Sequence, residues 1–122
     1  KLTIHNSIIA GNTATEGPDI RQTASSLVAE YSLIGRSDGT LLFSSATPDA
    51  NGNLIGGNLS VTAIDPRLAA LANNGGPTLT RALLVGSPAL NRGRNESAVD
   101  TSNGHAPLAN DQRGAGFPRV LF

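Results

Sequence analysis

The chain has no cysteine, no methionine and no tryptophan. Without cysteine there is neither a disulfide framework nor a thiolate metal site. Without methionine the sequence does not open at a translation start, so a processed product or an excerpt of a longer protein is expected. Aromatic residues are scarce, with three Phe and one Tyr in 122 residues. The large anchors that usually dominate cores and binding hot spots are therefore few. An excess of charge is missing too, because nine basic side chains balance nine acidic ones. A nucleic-acid binder needs a basic face, and this balance argues against that class. No apolar run approaches the roughly 18–20 residues that span a bilayer. One domain, residues 1–122, is expected at this length.

What is present is small, branched and turn-forming. The core must come from Leu, Ile, Val and Ala, and 14 Gly, 11 Asn, 11 Ser and 10 Thr fill much of the rest. Eight of the nine basic residues are Arg. Apolar residues do not hold helical spacing over a dozen residues without Gly or Pro intervening. Alternation is clearer. Leu2 and Ile4 alternate with Lys1, Thr3 and His5, and Leu59, Val61 and Ala63 alternate with Ser60 and Thr62, as strands require. Further strands are expected at Thr40–Phe43, Thr78–Leu84 and Arg119–Phe122. Asp65-Pro66 and Ser87-Pro88 read as helix caps followed by Pro at the first helical position. They predict short helical turns at Arg67–Leu71 and Ala89-Leu90. Loops are expected at Pro18 to Ser26 and Ala46 to Gly52, and residues 91–110 read as a mobile loop.

Short aliphatic runs recur. Ser7-Ile8-Ile9-Ala10 aligns with Ser32-Leu33-Ile34-Gly35, with Asn53-Leu54-Ile55-Gly56 and, more loosely, with Ala82-Leu83-Leu84-Val85. The starts lie 25, 21 and 29 residues apart. Such spacing falls in the range of solenoid coils, each of which buries its aliphatic side chains only by stacking on the next.

Several pieces, in order, resemble the C-terminal part of bacterial secreted proteins of the choice-of-anchor type, related to polymorphic outer-membrane protein repeats. They are Asn6 to Asn12, Gly17-Pro18-Asp19-Ile20, Tyr31 to Gly35, Ile64 to Leu68, Leu71 to Thr78, Gly86 to Leu90 and Asp111-Gln112-Arg113-Gly114. The resemblance implies an all-β fold, the end segment of a right-handed parallel β-helix with short helical turns and long loops. It also implies export, an extracellular or cell-surface location and an adhesin-like or structural role. Family members carry further coils before the first piece and a short strand after the last, so an excerpt cut at both ends is expected.

The chemistry-bearing residues are few. Asn6, Asn12, Asn53 and Asn58 flank the first and third runs. They read either as a ladder of side-chain hydrogen bonds between coils or as turn residues that accept left-handed backbone angles. Gly75 and Gly76 read as a turn needing positive φ. Asp111 and Arg113 form the most distinctive local motif, and a lock on the terminal segment is expected from the planar guanidinium fork. Asp19, Asp65 and Asp111 are the carboxylates that could serve as acid and base on a glycosidic bond, or bind calcium, if they converged. Each has a separate local explanation: the Gly-Pro-Asp turn for Asp19, helix capping for Asp65 and the neighbouring Arg113 for Asp111. His5 and His105 share no metal-ligand spacing. No Gly-x-Ser-x-Gly elbow is present. Asn58 and Asn95 lie in N-glycosylation patterns.

The chain ends matter in a solenoid, because uncapped strands invite pairing. Leu2, Ile4, Val120 and Phe122 are therefore the expected assembly edges. The leading expectation is a non-catalytic structural module without cofactors. It would stack on copies of itself or on the rest of a parent β-helix, up to filaments. A surface-glycan-binding segment, with Tyr31 and the Phe residues as candidate contacts, comes second. A fragment of a polysaccharide lyase or glycoside hydrolase comes third.

Overall fold

The computed structural model describes residues 1–23, 26–45, 47–59 and 62–120. Among the described residues seven short strands form: β1 (Leu2–His5), β2 (Ile8–Ile9), β3 (Leu27–Glu30), β4 (Leu33–Ile34), β5 (Leu54–Ile55), β6 (Val99–Asp100) and β7 (Ala106–Pro107). The described residues contain no α-helix, only a 3₁₀ turn at Asn95–Ser97.

Three aliphatic runs stack in parallel. Ile8 pairs with Leu33 and Leu33 with Leu54, giving the sheet β2-β4-β5. β1 pairs in parallel with β3, Leu2 opposite Leu27. Each run is entered through a corner. The residues at that register position are Asn6 (φ 48°), Tyr31 (φ 50°) and Gly52 (φ 74°), all left-handed. One column turns the chain three times, and it does so with an Asn, a Tyr and a Gly. Behind the aliphatic pair the column becomes Ala10, Gly35 and Gly56. A Cβ on Gly35 would sit 2.7 Å from the Cβ of Ala10, so the close approach of the runs requires the missing side chain.

The expected β-helix is not what forms. The strands fall into separate sheets of two and three strands plus one antiparallel pair, β6-β7, with no continuous solenoid sheet among the described residues. Two physical causes are visible. First, the third run has no partner for β3. The register places Pro48-Asp49-Ala50-Asn51 there, and these residues turn: Gly52 N–H donates to the Asp49 carbonyl, and the Asp49 carboxylate accepts from Asn51 and Asn53 N–H. Pro has no ladder donor, and Asp and Asn prefer local turns. Second, the run at Ala82 to Val85 does not join the stack. Leu84 N–H donates to the Arg67 carbonyl, Ala69 N–H to Ala82, and Ala72 and Thr80 exchange both bonds. Residues 67–72 and 80–84 thus form an irregular antiparallel ribbon, with bridges Leu68–Leu83 and Ala72–Thr80. Closing that short loop costs less entropy than returning to the parallel stack. On the stack's own flank, Ser45 bridges Ile55 antiparallel and occupies the outer side of β5.

Other expected elements also change. No helix follows Asp65. Its carboxylate accepts the Arg67 N–H at 2.8 Å, and Arg67 takes φ 51°, a conformation that stops a helix before it starts. Ser87 is buried and accepts the Ala89 N–H, while its hydroxyl donates to the Pro66 carbonyl at 2.6 Å. It ties two segments together and caps a turn, not a helix. Thr40–Phe43 is not a strand, because Thr40 folds back onto the Ser37 carbonyl through both N–H and hydroxyl. The expected loop at 91–110 carries the 3₁₀ turn, both β6 and β7, and the buried Ala98. The strand expected over Leu59–Ala63 and the end of the one at Arg119–Phe122 lie partly outside the described residues.

The core sits in the stacked part. Ile4, Ile20, Ala29 and Ile34 form one buried cluster, with Ile9, Leu27 and Leu42 packed against it. Leu33, Leu54 and Ile55 are buried beside it. Among the described residues, Ala98 alone of the buried apolar ones lies beyond position 55.

Candidate functional site

A cleft of about 500 Å³ opens between the stacked runs and the C-terminal segment. Its floor is apolar, with Ile8, Leu33 and Leu54 in one column and Leu83, Leu90 and Val120 opposite. Its rim is cationic. Arg92, Arg94, Arg113 and Arg119 all line it, against the single carboxylate of Asp111. Four of nine basic side chains thus share one cleft in a chain of zero net charge.

The corners position this rim. Asn6 clamps the backbone of Arg94: its Nδ2 donates to the Arg94 carbonyl at 2.8 Å and its Oδ1 accepts the Arg94 N–H at 2.7 Å. The side-chain amide does what a neighbouring strand would do, across 88 residues of sequence. The Arg94 guanidinium lies over the Tyr31 ring, 5.4 Å from its centroid, a cation–π arrangement. The other support for the ring is Gly52, where a Cβ would lie 2.7 Å from Tyr31 Cδ1. Arg94 also donates to Glu96 at 3.2 Å. That hydrogen bond is the main cause that raises the Arg94 pKa, and the backbone N–H of Glu96 followed by Arg94 lowers that of Glu96.

Arg113 is held differently. It pairs with Asp111 through Nη2 at 2.6 Å and Nε at 3.0 Å, stacks on Phe117 at 4.1 Å and donates to the Asn74 carbonyl at 3.3 Å. The Arg113 side chain, then its backbone N–H, hold the Asp111 carboxyl below its ordinary range, and the same pair raises Arg113. The Asn73-to-Gly76 turn lies against this pair. Gly75 and Gly76 both have positive φ. A Cβ on Gly75 would collide with the Phe117 ring, and one on Gly76 would lie 2.5 Å from Arg113 Cα. Two motifs 39 residues apart thus lock face to face. Arg92 and Arg119 are the contrast. Neither guanidinium has a hydrogen bond or ion pair among the described residues, although the Arg92 and Arg119 N–H groups donate to Ala89 and Ala109.

The ladder between runs is built from other residues than expected. Ser7 N–H donates to Ser32 Oγ, and Ser32 N–H donates to Asn53 Oδ1. Asn53 is 1% exposed and also donates to the Ala29 carbonyl and to Asp49. Asn6 turns outward to Arg94, Asn12 bonds Asp19, and the Asn58 carbonyl accepts from Arg36. Only Asn53 of the four Asn stands in the column.

The assembly edges change as well. Ile4 is core at 7% exposure, Val120 lines the cleft, Leu2 remains half-exposed, and Phe122 lies outside the described residues. The carboxylates do not converge. Asp19 is engaged by Asn12, Asp65 by Arg67 and Asp111 by Arg113. No group of three or more His, Asp or Glu able to hold a metal occurs among the described residues. No described helix is long and apolar enough to cross a membrane. Arg92, Arg94 and Arg119 escape a motif search because they share no spacing. Their one signal in the sequence is the near-total preference for Arg over Lys.

No protein-family model, curated protein or solved structure matches the chain.

Proposed function

We propose that the chain is a non-catalytic structural module of an extracellular or cell-surface protein that associates with copies of itself. One observation carries this reading: the ribbon formed by residues 67–72 and 80–84 leaves its aliphatic side chains uncovered. Leu71, Leu83 and Leu84 are 40–56% exposed, Leu79, just before the second strand, is 57% exposed, and Val85, at the turn that follows, is 91% exposed. A two-stranded ribbon without a covering layer is marginal in water, and its exposed aliphatic side chains are the surface that self-association would cover. The surface location is supported by the motif resemblance. Light scattering coupled to size-exclusion chromatography tests the assembly. A mass that rises with concentration, and falls to the monomer in Val85→Lys, is expected. A monomer at every concentration contradicts it. Val85 has almost no internal contact to lose, so this substitution leaves the fold intact.

A second reading, glycan binding, is favoured by the arginine-lined cleft beside Tyr31. Its floor and rim have the concave, mostly apolar character with a few polar groups that small-ligand sites share.

A further inference from the structure

We infer that the cleft takes a saccharide carrying a carboxylate, of the uronate type, an inference that rests on the glycan-binding reading. The charge comes first. In a chain with no net charge, four arginines line one cleft, and Asp111 is the one acidic residue among its lining residues. That carboxylate, Asp111, is already bound by Arg113. Arg94 is likewise engaged by Glu96 and Tyr31. Arg92 and Arg119 make no side-chain hydrogen bond or ion pair among the described residues, although the Arg119 charge acts on Asp111, and both line the same cleft. A guanidinium fork matches a carboxylate in two parallel hydrogen bonds, and an unpaired one in a cleft is ready for that partner.

The sugar part rests on the neighbouring donors. Asn91 and Asn95 line the cleft, and neither side-chain amide has a hydrogen-bond partner among the described residues. An amide presents both a donor and an acceptor, which suits a hydroxyl, itself both donor and acceptor. Free amides beside free guanidiniums match a ligand that alternates hydroxyls with carboxylates. A fatty acid would leave the amides unused, and a neutral sugar would leave the guanidiniums unused. The backbone carrying these groups is held in place by Asn6 on Arg94 and by the Arg119 N–H on the Ala109 carbonyl. The binding groups are therefore positioned before a ligand arrives, which reduces the ordering cost.

Calorimetric titration of the whole chain with tetragalacturonate, maltotetraose and tetraglutamate separates the elements of this inference. Tetragalacturonate should bind at least about tenfold more tightly than either control, and more weakly as salt is raised. Arg92→Gln and Arg119→Gln should each weaken it by about tenfold. Their circular dichroism should be unchanged, since neither guanidinium makes an internal bond. Equal binding of maltotetraose would overturn the charge selection while leaving the glycan reading intact. Equal binding of tetraglutamate would overturn the sugar selection. Unchanged affinity in both Arg variants would remove the cleft as the site. If neither saccharide binds, the glycan reading and this inference fall together.

Discussion

Leu33-Ile34 and Leu83-Leu84 are the same aliphatic motif in two regions of one chain. The first pair is 3% and 0% exposed, the second 40% and 45%. The difference is not in the motif but in what precedes it. Leu33 follows a left-handed corner at Tyr31 that aligns with corners at Asn6 and Gly52, so three runs stack and cover one another. Leu83 follows the Asn73-to-Gly76 turn, which sends the chain back against residues 67–72. An aliphatic pair is buried by its neighbours in space, and the turn before it chooses those neighbours.

Substitutions sharpen this contrast. The largest effect is expected for Ile34→Ala, which empties a fully buried site and should cost about 2–5 kcal/mol in urea denaturation. Leu84→Ala in the ribbon should cost under about 1 kcal/mol in the monomer. Equal losses would show that the ribbon packs as the stack does. Next comes Asn53→Ala. It leaves the Ser32 N–H and the Ala29 carbonyl without their side-chain partner in a buried place, and about 2–3 kcal/mol is expected. Asn58→Ala, outside the ladder, should be near neutral.

Gly76→Ala tests the lock between the turn inside the ribbon and the C-terminal segment. It meets both a positive φ of 80° and the Arg113 backbone, and a loss of about 1–3 kcal/mol is expected from the strained backbone. Gly104→Ala, at a positive φ with open space around it, isolates the backbone contribution and should cost less. The smallest effect is electrostatic. Asp111 has its pKa depressed in the folded state, so the Asp111–Arg113 pair stabilises the fold above the ordinary aspartate value of 3.8. That stability is lost as pH falls through the lower folded value. Denaturation midpoints measured from pH 7 down to pH 2 should therefore drop more steeply in the native chain than in Asp111→Asn. Asp100, lowered first by the Ser102 hydroxyl and then by its N–H, adds a loss of the same sign.

The register of the stack was legible in the sequence. Aligning Ser7, Ser32 and Asn53 places Ile8 on Leu33 and Leu33 on Leu54, and these are the pairs that form. The stack does not continue into a β-helix, for a reason also present in the residues. Pro48-Asp49 occupies the strand position of the third run, and Asp65 captures the Arg67 N–H, so neither segment can extend the ladder. The candidate site was less legible. Tyr31 stood out as the lone tyrosine, but Arg92, Arg94 and Arg119 meet only because Asn6 reaches Arg94 and the C-terminal segment returns to the stack. Contacts across 88 residues leave no local pattern.

One aliphatic motif thus folds as a packed stack in the first half and as an uncovered ribbon in the second. Amide hydrogen exchange in the dilute monomer tests it most directly. The Leu33 and Leu54 amides, which donate to Ser7 and Ser32, should exchange only through global unfolding. The Thr80 and Leu84 amides, which donate to Ala72 and Arg67, should exchange at least about a hundredfold faster through local opening. Equal protection of the two sets would show that the ribbon is packed as firmly as the stack.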